Sequence, residues 1–449
     1  MKKTYQVAVI GLGYVGLVIA GVLASRGCRV VGIDTNRRIV DGANEGKSHF
    51  FEPDLEELLT AAVTDGFFKA STDVADAANS SIKLVTVGTP LGDNLEPDLR
   101  SISAVAESLA VALKPGDIVL LKSTVTPGVT EEVFGKILAD ASGLVAGRDF
   151  ELAFSPERLA EGRAVEEFAS LPIVVGSSST VAEQDIATFW RRTLGVEVIT
   201  MGSAVAAELV KLADNLWIDV NISIANLISV VAQDYGIASE EIIKAANSLP
   251  KGEGNVNILQ SSIGVGGSCL TKDPLFFASL VDKAGGDSRM ILGARSANAG
   301  MPGLVADWVG NWVKRQNIDD PAGLKIALVG LAFKDDTSDL RYSPMIEFYE
   351  QIVEKYSRIT VFDPFIEKAA TTDSFPGAEV ADSLGAALSG SSVAVFGCNH
   401  SVFRSEDMIG LINQHVQKPG LIIDGRKAIR YRLTSSDAAL SSDIEFRSV

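Results

Sequence analysis

The chain has 449 residues, more than one ordinary hydrophobic core contains, and this length predicts two or three domains. Its formal net charge of −17 argues against binding to nucleic acid or to an anionic membrane, because both of these partners are polyanions. The three cysteines lie far apart in the sequence, which predicts a reducing compartment, the cytoplasm, instead of a disulfide framework.

The N-terminus superficially resembles a secretory signal peptide, because basic residues precede an apolar stretch that ends near Ala24. Gly11, Gly13 and Gly16 interrupt that stretch at an ordered spacing, and a second strand pattern follows it. We therefore interpret the segment as the first strand and helix of a domain. Later in the chain, no uninterrupted apolar run of about 18 residues predicts a transmembrane span.

Short apolar runs alternate with longer helical patterns over residues 1–200. The predicted strands cover residues 7–10, 29–33, 84–87, 118–121, 173–175 and 197–199. This alternation predicts a parallel sheet with helices on both faces. We assign residues 1–200 to a doubly wound α/β domain of the Rossmann-like type.

The turn after the first predicted strand has the G-x-G-x-x-G pattern. Gly11, Gly13 and Gly16 are its glycines, and Tyr14 and Val15 occupy the positions between the last two. The glycines permit a tight turn and a close approach of the backbone to a pyrophosphate at the N-terminus of the next helix. Because the pattern stands between a strand and a helix, it predicts dinucleotide binding over a turn that binds nothing.

An acidic residue, Asp34, ends the second predicted strand, where it would accept hydrogen bonds from a ribose diol. This placement favours NAD as the cofactor over NADP. Arg37 and Arg38 follow closely and leave contact with a 2′-phosphate open as an alternative. We also place Thr89 and Thr124 in the cofactor site.

Residues 203–235 contain neither proline nor glycine, and Gly236 follows them, so the segment predicts one helix about 50 Å long. Lys211 and Asn215 lie four residues apart on it and share one face. We assign residues 201–315 to a helical domain. Its long central helix could present an apolar face to a second copy of the chain.

Strand-helix alternation restarts after the polar segment 316–325 and predicts a second, smaller Rossmann-like domain over residues 316–449. Its predicted strands cover residues 326–329, 359–362, 393–396 and 421–423. Two nucleotide-binding folds joined by helices predict a ligand cleft between them.

One cysteine, Cys269, follows a glycine-rich loop at residues 264–267, with Lys272 and Asp273 just downstream. Backbone amides in such a loop can approach a reacting carbonyl, and nearby positive charge favours the thiolate. We predict a nucleophile, with an inert cysteine in a structural turn as the alternative. The other two cysteines stand in apolar surroundings and are predicted to be buried.

Two acids, Glu157 and Glu161, follow a predicted strand and are nonspecific candidates for a general base. The histidines His49, His400 and His415 are scattered along the chain. Their spacing predicts neither a metal site nor a catalytic triad.

Taken in order, these segments resemble the UDP-glucose/GDP-mannose dehydrogenase family across nearly the full chain. The matching segments are residues 11–16 with Asp34, residues 122–124, residues 155–157 with Glu161, Lys211 with Asn215, residues 264–273 and residues 332–334. The resemblance implies that a hexose C6 alcohol is oxidised twice, with two NAD consumed, to a carboxylate. It also implies a helix-mediated dimer.

The resemblance implies a role for each matching residue. Cys269 would attack the aldehyde, and a thioester would form on it. Lys211 and Asn215 would stabilise the oxyanion, while Asp273, with Lys211 and an ordered water, would assist deprotonation of the C6 hydroxyl. Glu157 would activate water for thioester hydrolysis.

Further roles concern binding. Thr124 would hold the hydrolytic water, and Glu161 and Gly266 would line the sugar site. Three cations of the C-terminal domain would engage the nucleotide sugar, namely Lys334, Arg341 and Arg426. Positive groups there would explain how an acidic chain binds a diphosphate.

The resemblance implies a UDP-hexose as the substrate, and sequence features point to two branches of the family. Residues 155–158, 219–222 and 256–260 resemble the branch that oxidises UDP-N-acetylmannosamine or UDP-N-acetylglucosamine. Ser268, where that branch usually has His, resembles the UDP-glucose branch, whereas Glu253 departs from the arginine of that branch. We favour a UDP-N-acetylhexosamine, with UDP-glucose as the alternative.

Two other classes of protein remain as rival interpretations. A dinucleotide-binding protein without catalysis would have no chemical need for Cys269, Lys211, Asn215 and Asp273 together. A two-electron dehydrogenase of a hydroxy acid would need no thiol and would release one NADH per substrate, so the NADH stoichiometry distinguishes the three.

Overall fold

The structure is a computed structural model and describes residues 6–92, 95–405, 407–430, 433 and 439–449. The chain divides into two compact units, residues 1–214 and residues 215–449. Among the described residues, each unit contains one six-stranded sheet. Every strand pairing in the two sheets is parallel, which confirms the predicted fold class of two doubly wound domains.

The sheet of the first unit has the strand order β3-β2-β1-β4-β5-β6. Its strands are β1 (Gln6–Ile10), β2 (Arg29–Ile33), β3 (Phe68–Ser71), β4 (Ile82–Val85), β5 (Ile118–Leu121) and β6 (Glu151–Phe154). The central strands are buried runs of aliphatic residues, as expected of a sheet covered on both faces.

Helices cover this sheet and complete its hydrophobic core. They are α1 (Tyr14–Ser25), α2 (Arg37–Asn44), α3 (Leu55–Thr64), α4 (Arg100–Leu109), α5 (Lys136–Ser142), α6 (Ala164–Phe168) and α7 (Thr180–Thr193). A π-helical segment, Val129–Gly135, leads directly into α5.

Two strands predicted near the end of the first domain do not extend the main sheet. β7 (Ile173–Val175) and β8 (Val198–Thr200) pair in parallel with each other as a separate ribbon. An isolated antiparallel bridge between Phe154 and Gly176 joins the end of β6 to the residue after β7. The β-branched pattern therefore predicted the strands but not their partners.

The long predicted helix is α8 (Ala204–Asp234), which begins and ends within one residue of its predicted bounds. Gly236 has a φ of 68° and its N–H donates to the Gln233 carbonyl at 3.1 Å, as expected after a helix C-terminus. The helix is long and apolar enough to cross a membrane by length and composition alone, a property that core helices share.

Three more helices precede the second sheet. They are α9 (Ser239–Ala246), α10 (Asp273–Lys283) and α11 (Arg289–Arg315), with a short hairpin of β9 (Pro250–Lys251) and β10 (Gly254–Asn255) after α9. The glycine-rich loop of residues 264–267 lies between this hairpin and α10.

The second sheet has the order β13-β12-β11-β14-β15-β16. Its strands are β11 (Lys325–Val329), β12 (Arg358–Phe362), β13 (Glu379–Val380), β14 (Val393–Phe396), β15 (Gly420–Asp424) and β16 (Ile444–Ser448). Its helices are α12 (Pro344–Ile352), α13 (Lys368–Ser374), α14 (Leu384–Leu388) and α15 (Met408–His415). The strand order is the same as in the first sheet.

The two sheets also share a turn. A glycine with positive φ follows the first strand of each, Gly11 at 92° and Gly330 at 71°. An aspartate follows the second strand of each, Asp34 after β2 and Asp363 after β12. The second domain thus repeats the local geometry of a dinucleotide-binding turn.

The two sheets differ in what covers this aspartate. Asp34 Oδ2 accepts from the Leu12 N–H at 2.7 Å, and Asp363 Oδ2 accepts from the Leu331 N–H at 2.6 Å. Asp34 is partly exposed, but Asp363 is buried and its Oδ2 lies 3.0 Å from Nε2 of His400. In the second sheet the aspartate is therefore closed to solvent by a histidine of the same chain.

Candidate active site

The turn between β1 and α1 has the geometry that a bound pyrophosphate needs. A Cβ on Gly16 would lie 1.8 Å from the Gly11 carbonyl oxygen, so the strand and helix pack closely only with glycine there. A Cβ on Gly13 would meet no atom within 4 Å, so open space lies before the N-terminus of α1. These residues fit the phosphates of NAD.

The acid and the hydroxyls predicted for the cofactor follow the carboxyl ends of β2, β4 and β5. Asp34 accepts from the backbone N–H groups of Leu12 at 2.7 Å and Asn36 at 2.8 Å. Its carboxylate keeps acceptor capacity for ribose hydroxyls. The Thr89 hydroxyl donates to the Thr124 carbonyl at 2.6 Å, which joins the loops after β4 and β5.

Of the two remaining residues of the cofactor turn, Val15 packs on the core and Tyr14 makes a polar contact. The Tyr14 hydroxyl donates to the carboxylate of Glu52. Burial and this carboxylate both raise the pKa of Tyr14, so the phenol stays protonated.

A buried lysine holds the loop that carries Glu157. Lys122 Nζ donates to the carbonyls of Ser155 at 3.2 Å and Pro156 at 3.4 Å, and lies 4.0 Å from Glu157 Oε2. Burial lowers the pKa of Lys122, while the Glu157 carboxylate opposes that shift. Glu157 Oε1 accepts from the Leu159 N–H at 2.5 Å, so both of its oxygens have partners.

Helix α8 carries Lys211 and Asn215, and both side chains are buried. The Asn215 amide donates to Asp273 Oδ2 at 2.5 Å. Lys272 Nζ donates to Asp273 Oδ1, also at 2.5 Å. The fully buried Asp273 carboxylate is thus held between an amide and an ammonium group. The sequence had indicated these residues but not the hydrogen bonds between them.

The cysteine loop ends at a helix N-terminus. Cys269 is exposed, and its carbonyl accepts from the N–H groups of Lys272 at 3.1 Å and Asp273 at 2.9 Å. It therefore lies in the turn that leads into α10. Burial raises the pKa of Cys28 to about 11, and Cys398 is buried too, as predicted.

A second loop packs against the cysteine loop. The Gly267 N–H donates to the Arg341 carbonyl at 3.1 Å, and a Cβ on Gly266 would lie 2.3 Å from the Tyr342 carbonyl oxygen. This second loop follows β11 and also carries Lys334. The two glycines are thus required by the close approach of the backbones.

The three cations predicted to bind the nucleotide sugar belong to one neighbourhood. Lys334 and Arg341 lie on the loop after β11, and Arg426 Nη2 donates to the Phe333 carbonyl of that loop at 2.8 Å. The Arg341 guanidinium pairs with Asp339, with an Nε–Oδ2 distance of 2.8 Å.

Sequence reasoning missed an arginine that supports the cysteine loop. Arg295 Nη1 on α11 donates to the Leu270 carbonyl at 2.9 Å and to Asp219 Oδ1 at 2.6 Å. Burial raises the pKa of Asp219, while Arg295 opposes that shift. The partners are 25 and 76 residues from Arg295, so no local pattern indicates the contact.

The predicted site residues therefore form two groups, one in each unit. In residues 1–214 the structure describes the glycine turn, Asp34, the paired threonines, Glu157, Glu161 and Lys211. In residues 215–449 it brings together Asn215, Asp273 and the cysteine loop with the loop after β11. Within the described part of the chain, no group of three His, Cys, Asp or Glu side chains could hold a metal ion.

Three family models match the chain in order. All three describe the UDP-glucose/GDP-mannose dehydrogenase family. Its NAD binding domain matches residues 5–194, its central domain matches residues 205–300 and its UDP binding domain matches residues 327–431.

Similar proteins span most of the chain. A UDP-N-acetyl-D-mannosamine dehydrogenase from Pyrococcus horikoshii is 33% identical, over 95% of this chain and 96% of that protein. An NDP-N-acetyl-D-galactosaminuronic acid dehydrogenase from Ralstonia nicotianae is 35% identical, over 89% of this chain and 92% of that protein.

Solved structures show the same architecture. A UDP-D-ManNAc dehydrogenase from Pyrococcus horikoshii has a TM-score of 0.85 and 31% identity, with 99% of both chains covered. A UDP-glucose dehydrogenase from Pyrobaculum islandicum has a TM-score of 0.86 and 27% identity, with 99% of this chain and 97% of that chain covered.

Proposed function

Because this chain belongs to the UDP-glucose/GDP-mannose dehydrogenase family and is an NAD-dependent nucleotide-sugar dehydrogenase, we propose that it oxidises UDP-N-acetyl-D-mannosamine at C6 to the uronic acid. Relatives named for that substrate, which are 33% to 35% identical, support the choice. UDP-N-acetylglucosamine belongs to the same substrate class. UDP-glucose is the alternative, and the likeness to the Pyrobaculum islandicum structure supports it.

One observation carries the proposed chemistry. Cys269 is an exposed residue in the turn before α10, and four residues later Asp273 is buried between Lys272 and Asn215. A nucleophile and a carboxylate this close in the chain suit the oxidation of an alcohol through a covalent aldehyde adduct.

The first oxidation converts the C6 alcohol to an aldehyde. NAD, held by the glycine turn and Asp34, supplies the hydride acceptor for both oxidations. Asp273, with Lys211 and an ordered water, assists removal of the hydroxyl proton.

The second oxidation takes place on the protein. The Cys269 thiolate adds to the aldehyde carbon, and Lys211 and Asn215 stabilise the oxyanion of the resulting thiohemiacetal. Its oxidation leaves a thioester. Glu157 then activates a water that Thr124 holds, and hydrolysis releases the carboxylate and restores the thiolate. In total C6 loses four electrons, as two hydrides, to two NAD, and one water supplies the second oxygen of the carboxylate.

Binding of the substrate uses groups of both signs. Glu161 and Gly266 line the sugar, and Lys334, Arg341 and Arg426 neutralise the diphosphate. These cations let a chain with a net charge of −17 bind a dianionic substrate.

We further propose a homodimer in the cytoplasm. Helix α8 exposes a row of large apolar side chains that continues into the next turn and helix, with a groove of about 460 Å³: Ile224, Leu227, Val231, Tyr235, Ile237 and Ile242. Contiguous apolar surface of this kind favours association. The same surface on a second copy would cover it with two-fold symmetry.

A substrate panel tests the activity. Each of UDP-N-acetylmannosamine, UDP-N-acetylglucosamine, UDP-glucose and GDP-mannose is mixed with excess NAD, and NADH absorbance is followed to completion. We expect two NADH per UDP-N-acetylmannosamine and the highest kcat/KM for that sugar. One NADH per sugar would identify a simple two-electron dehydrogenase, and no turnover of any sugar would refute the proposed function.

A further inference from the structure

One buried carboxylate in the first unit connects the cofactor turn to the loop that carries Glu161. Glu52 lies between α2 and α3 and is only 4% exposed. Its Oε2 accepts from the Tyr14 hydroxyl and from the Gly162 N–H at 2.8 Å. Its Oε1 accepts from the N–H groups of Ala164 at 2.7 Å and Val165 at 3.4 Å.

The first end of this connection is part of the dinucleotide turn. Tyr14 is the first residue of α1 and follows Gly13 directly. Its ring packs on Phe50 with a centroid distance of 4.6 Å, and its hydroxyl also accepts from the Gly162 N–H at 3.2 Å. The ring and the hydroxyl therefore fix this side chain from two directions.

The second end of the connection is the loop that carries Glu161, which we call the sugar loop because Glu161 is proposed to line the sugar. Gly162 has a φ of 82°, a backbone conformation that favours glycine, and it follows Glu161 directly. On the other side of Glu161, the Ala160 N–H donates to Glu167 Oε2 at 2.7 Å. Two carboxylates thus hold the backbone on either side of Glu161, and one of them is also bonded to Tyr14.

A simple helix cap would explain only half of these contacts. A carboxylate that capped α6 would need the N–H groups of Ala164 and Val165 and no phenol. The Tyr14 hydroxyl adds a charge-assisted hydrogen bond to Glu52, which lies 38 residues away in the sequence. Tyr14 belongs to the turn proposed to bind NAD, whereas the loop held by Glu52 is proposed to bind the sugar.

We infer that Glu52, through Tyr14, is a positioning residue shared by the cofactor site and the sugar site. The inference rests on the proposed function, because it assigns Glu161 to the nucleotide sugar. Glu52 touches neither ligand in this scheme. Loss of the Glu52 carboxylate changes the affinity for NAD and for the nucleotide sugar, because the cofactor turn and the sugar loop each lose the partner that fixes them.

The test uses two variants and their combination. Glu52→Gln keeps the shape but removes the charge, and Tyr14→Phe removes only the hydroxyl that joins the two sites. The dissociation constant of NADH is measured by fluorescence titration, and kcat and KM by NADH formation with UDP-N-acetylmannosamine. Melting temperatures of all variants are recorded.

We expect Tyr14→Phe, a change in the cofactor turn, to raise the KM for the sugar nucleotide about 10-fold with a smaller change in kcat. Glu52→Gln, a change beside the sugar loop, is expected to weaken NADH binding by a similar factor. The double variant should behave like Glu52→Gln, because both substitutions break one connection. Glu57→Gln, an exposed glutamate on α3, is the matched control and should match the wild type.

Two results would overturn the inference. One is an unchanged NADH affinity in Glu52→Gln, which would make Glu52 a cap of α6 alone. The other is additive effects in the double variant. In both cases turnover of the sugar by the wild type would leave the proposed function standing, whereas a wild type that turns over no sugar nucleotide would remove the basis of both.

Discussion

At the residue scale, the environment of each group separates the reactive side chains from the structural ones. Cys28 and Cys398 are buried, whereas Cys269 is exposed before a helix N-terminus. The sequence indicated Cys269 as the reactive one, because a glycine-rich loop precedes it and Lys272 and Asp273 follow it. It did not indicate Arg295 or the contacts of Lys122, since their partners lie on distant elements and the residue types alone do not identify them.

Cys269→Ala is expected to abolish formation of the uronic acid, because the thioester route requires the thiol. NADH released over hours would fall at least 100-fold, measured by absorbance with the preferred sugar. Cys28→Ala is the control and should keep two NADH per sugar, with only a lower melting temperature. Full activity of the Cys269 variant would rule out the nucleophile.

Asp273→Asn should lower kcat about 100-fold, because the amide cannot accept the hydroxyl proton. The NADH dissociation constant should stay within two-fold of the wild type, since Asp273 lies outside the cofactor turn. The exposed Asp287, which pairs with Arg289, provides the control Asp287→Asn. A kcat within three-fold of the wild type would show that Asp273 is not the base.

Two neighbouring glycines are expected to differ in what they contribute. Gly16→Ala forces its Cβ against the Gly11 carbonyl, so the melting temperature should fall by several degrees. Gly13→Ala meets open space, so the fold should keep its stability while NADH affinity falls at least 10-fold. Differential scanning fluorimetry and NADH titration measure the two effects. Equal losses of stability in the two variants would contradict the proposal that the pyrophosphate occupies open space beside Gly13.

At the element scale, long regular patterns were predicted well and short strands were not. The proline-free segment that became α8 was located to within one residue at each end. The strands β3 and β13 were missed because their sequences lack the run of aliphatic and β-branched residues that indicated the other strands. β7 and β8 were found, but their pairing depends on tertiary contacts.

Val231→Asp on α8 should convert the homodimer to a monomer, because it places a charge in the apolar row. Val231 is 58% exposed in the single chain. Val181 on α7 is 57% exposed, so Val181→Asp is a matched control that should leave the mass unchanged. Light scattering after size exclusion gives the masses. A Val231 variant that remains dimeric would assign the interface to another surface.

At the scale of the whole molecule, the alternation of strands and helices was enough to predict two doubly wound domains around a long helix. The order of the strands was not readable, because sequence gives no direct information on which strands are neighbours. The aspartates after β2 and β12 look equivalent in sequence. Only the structure shows that His400 covers the second one.

Equilibrium titration should therefore end at one NADH per chain. Asp34 is partly exposed beside an open turn, whereas Asp363 is buried and bonded to backbone N–H groups and to His400. Isothermal titration calorimetry with chain concentration from absorbance measures the number. Two NADH per chain would show that the second sheet opens to a dinucleotide.

A single dinucleotide site per chain has a consequence for timing. Both oxidations of one sugar then take place at the same location, so the reduced cofactor departs and an oxidised one arrives while the half-oxidised sugar waits. An aldehyde that was free during this interval could diffuse away. In the proposed mechanism, covalent attachment to Cys269 keeps the aldehyde on the protein during the exchange.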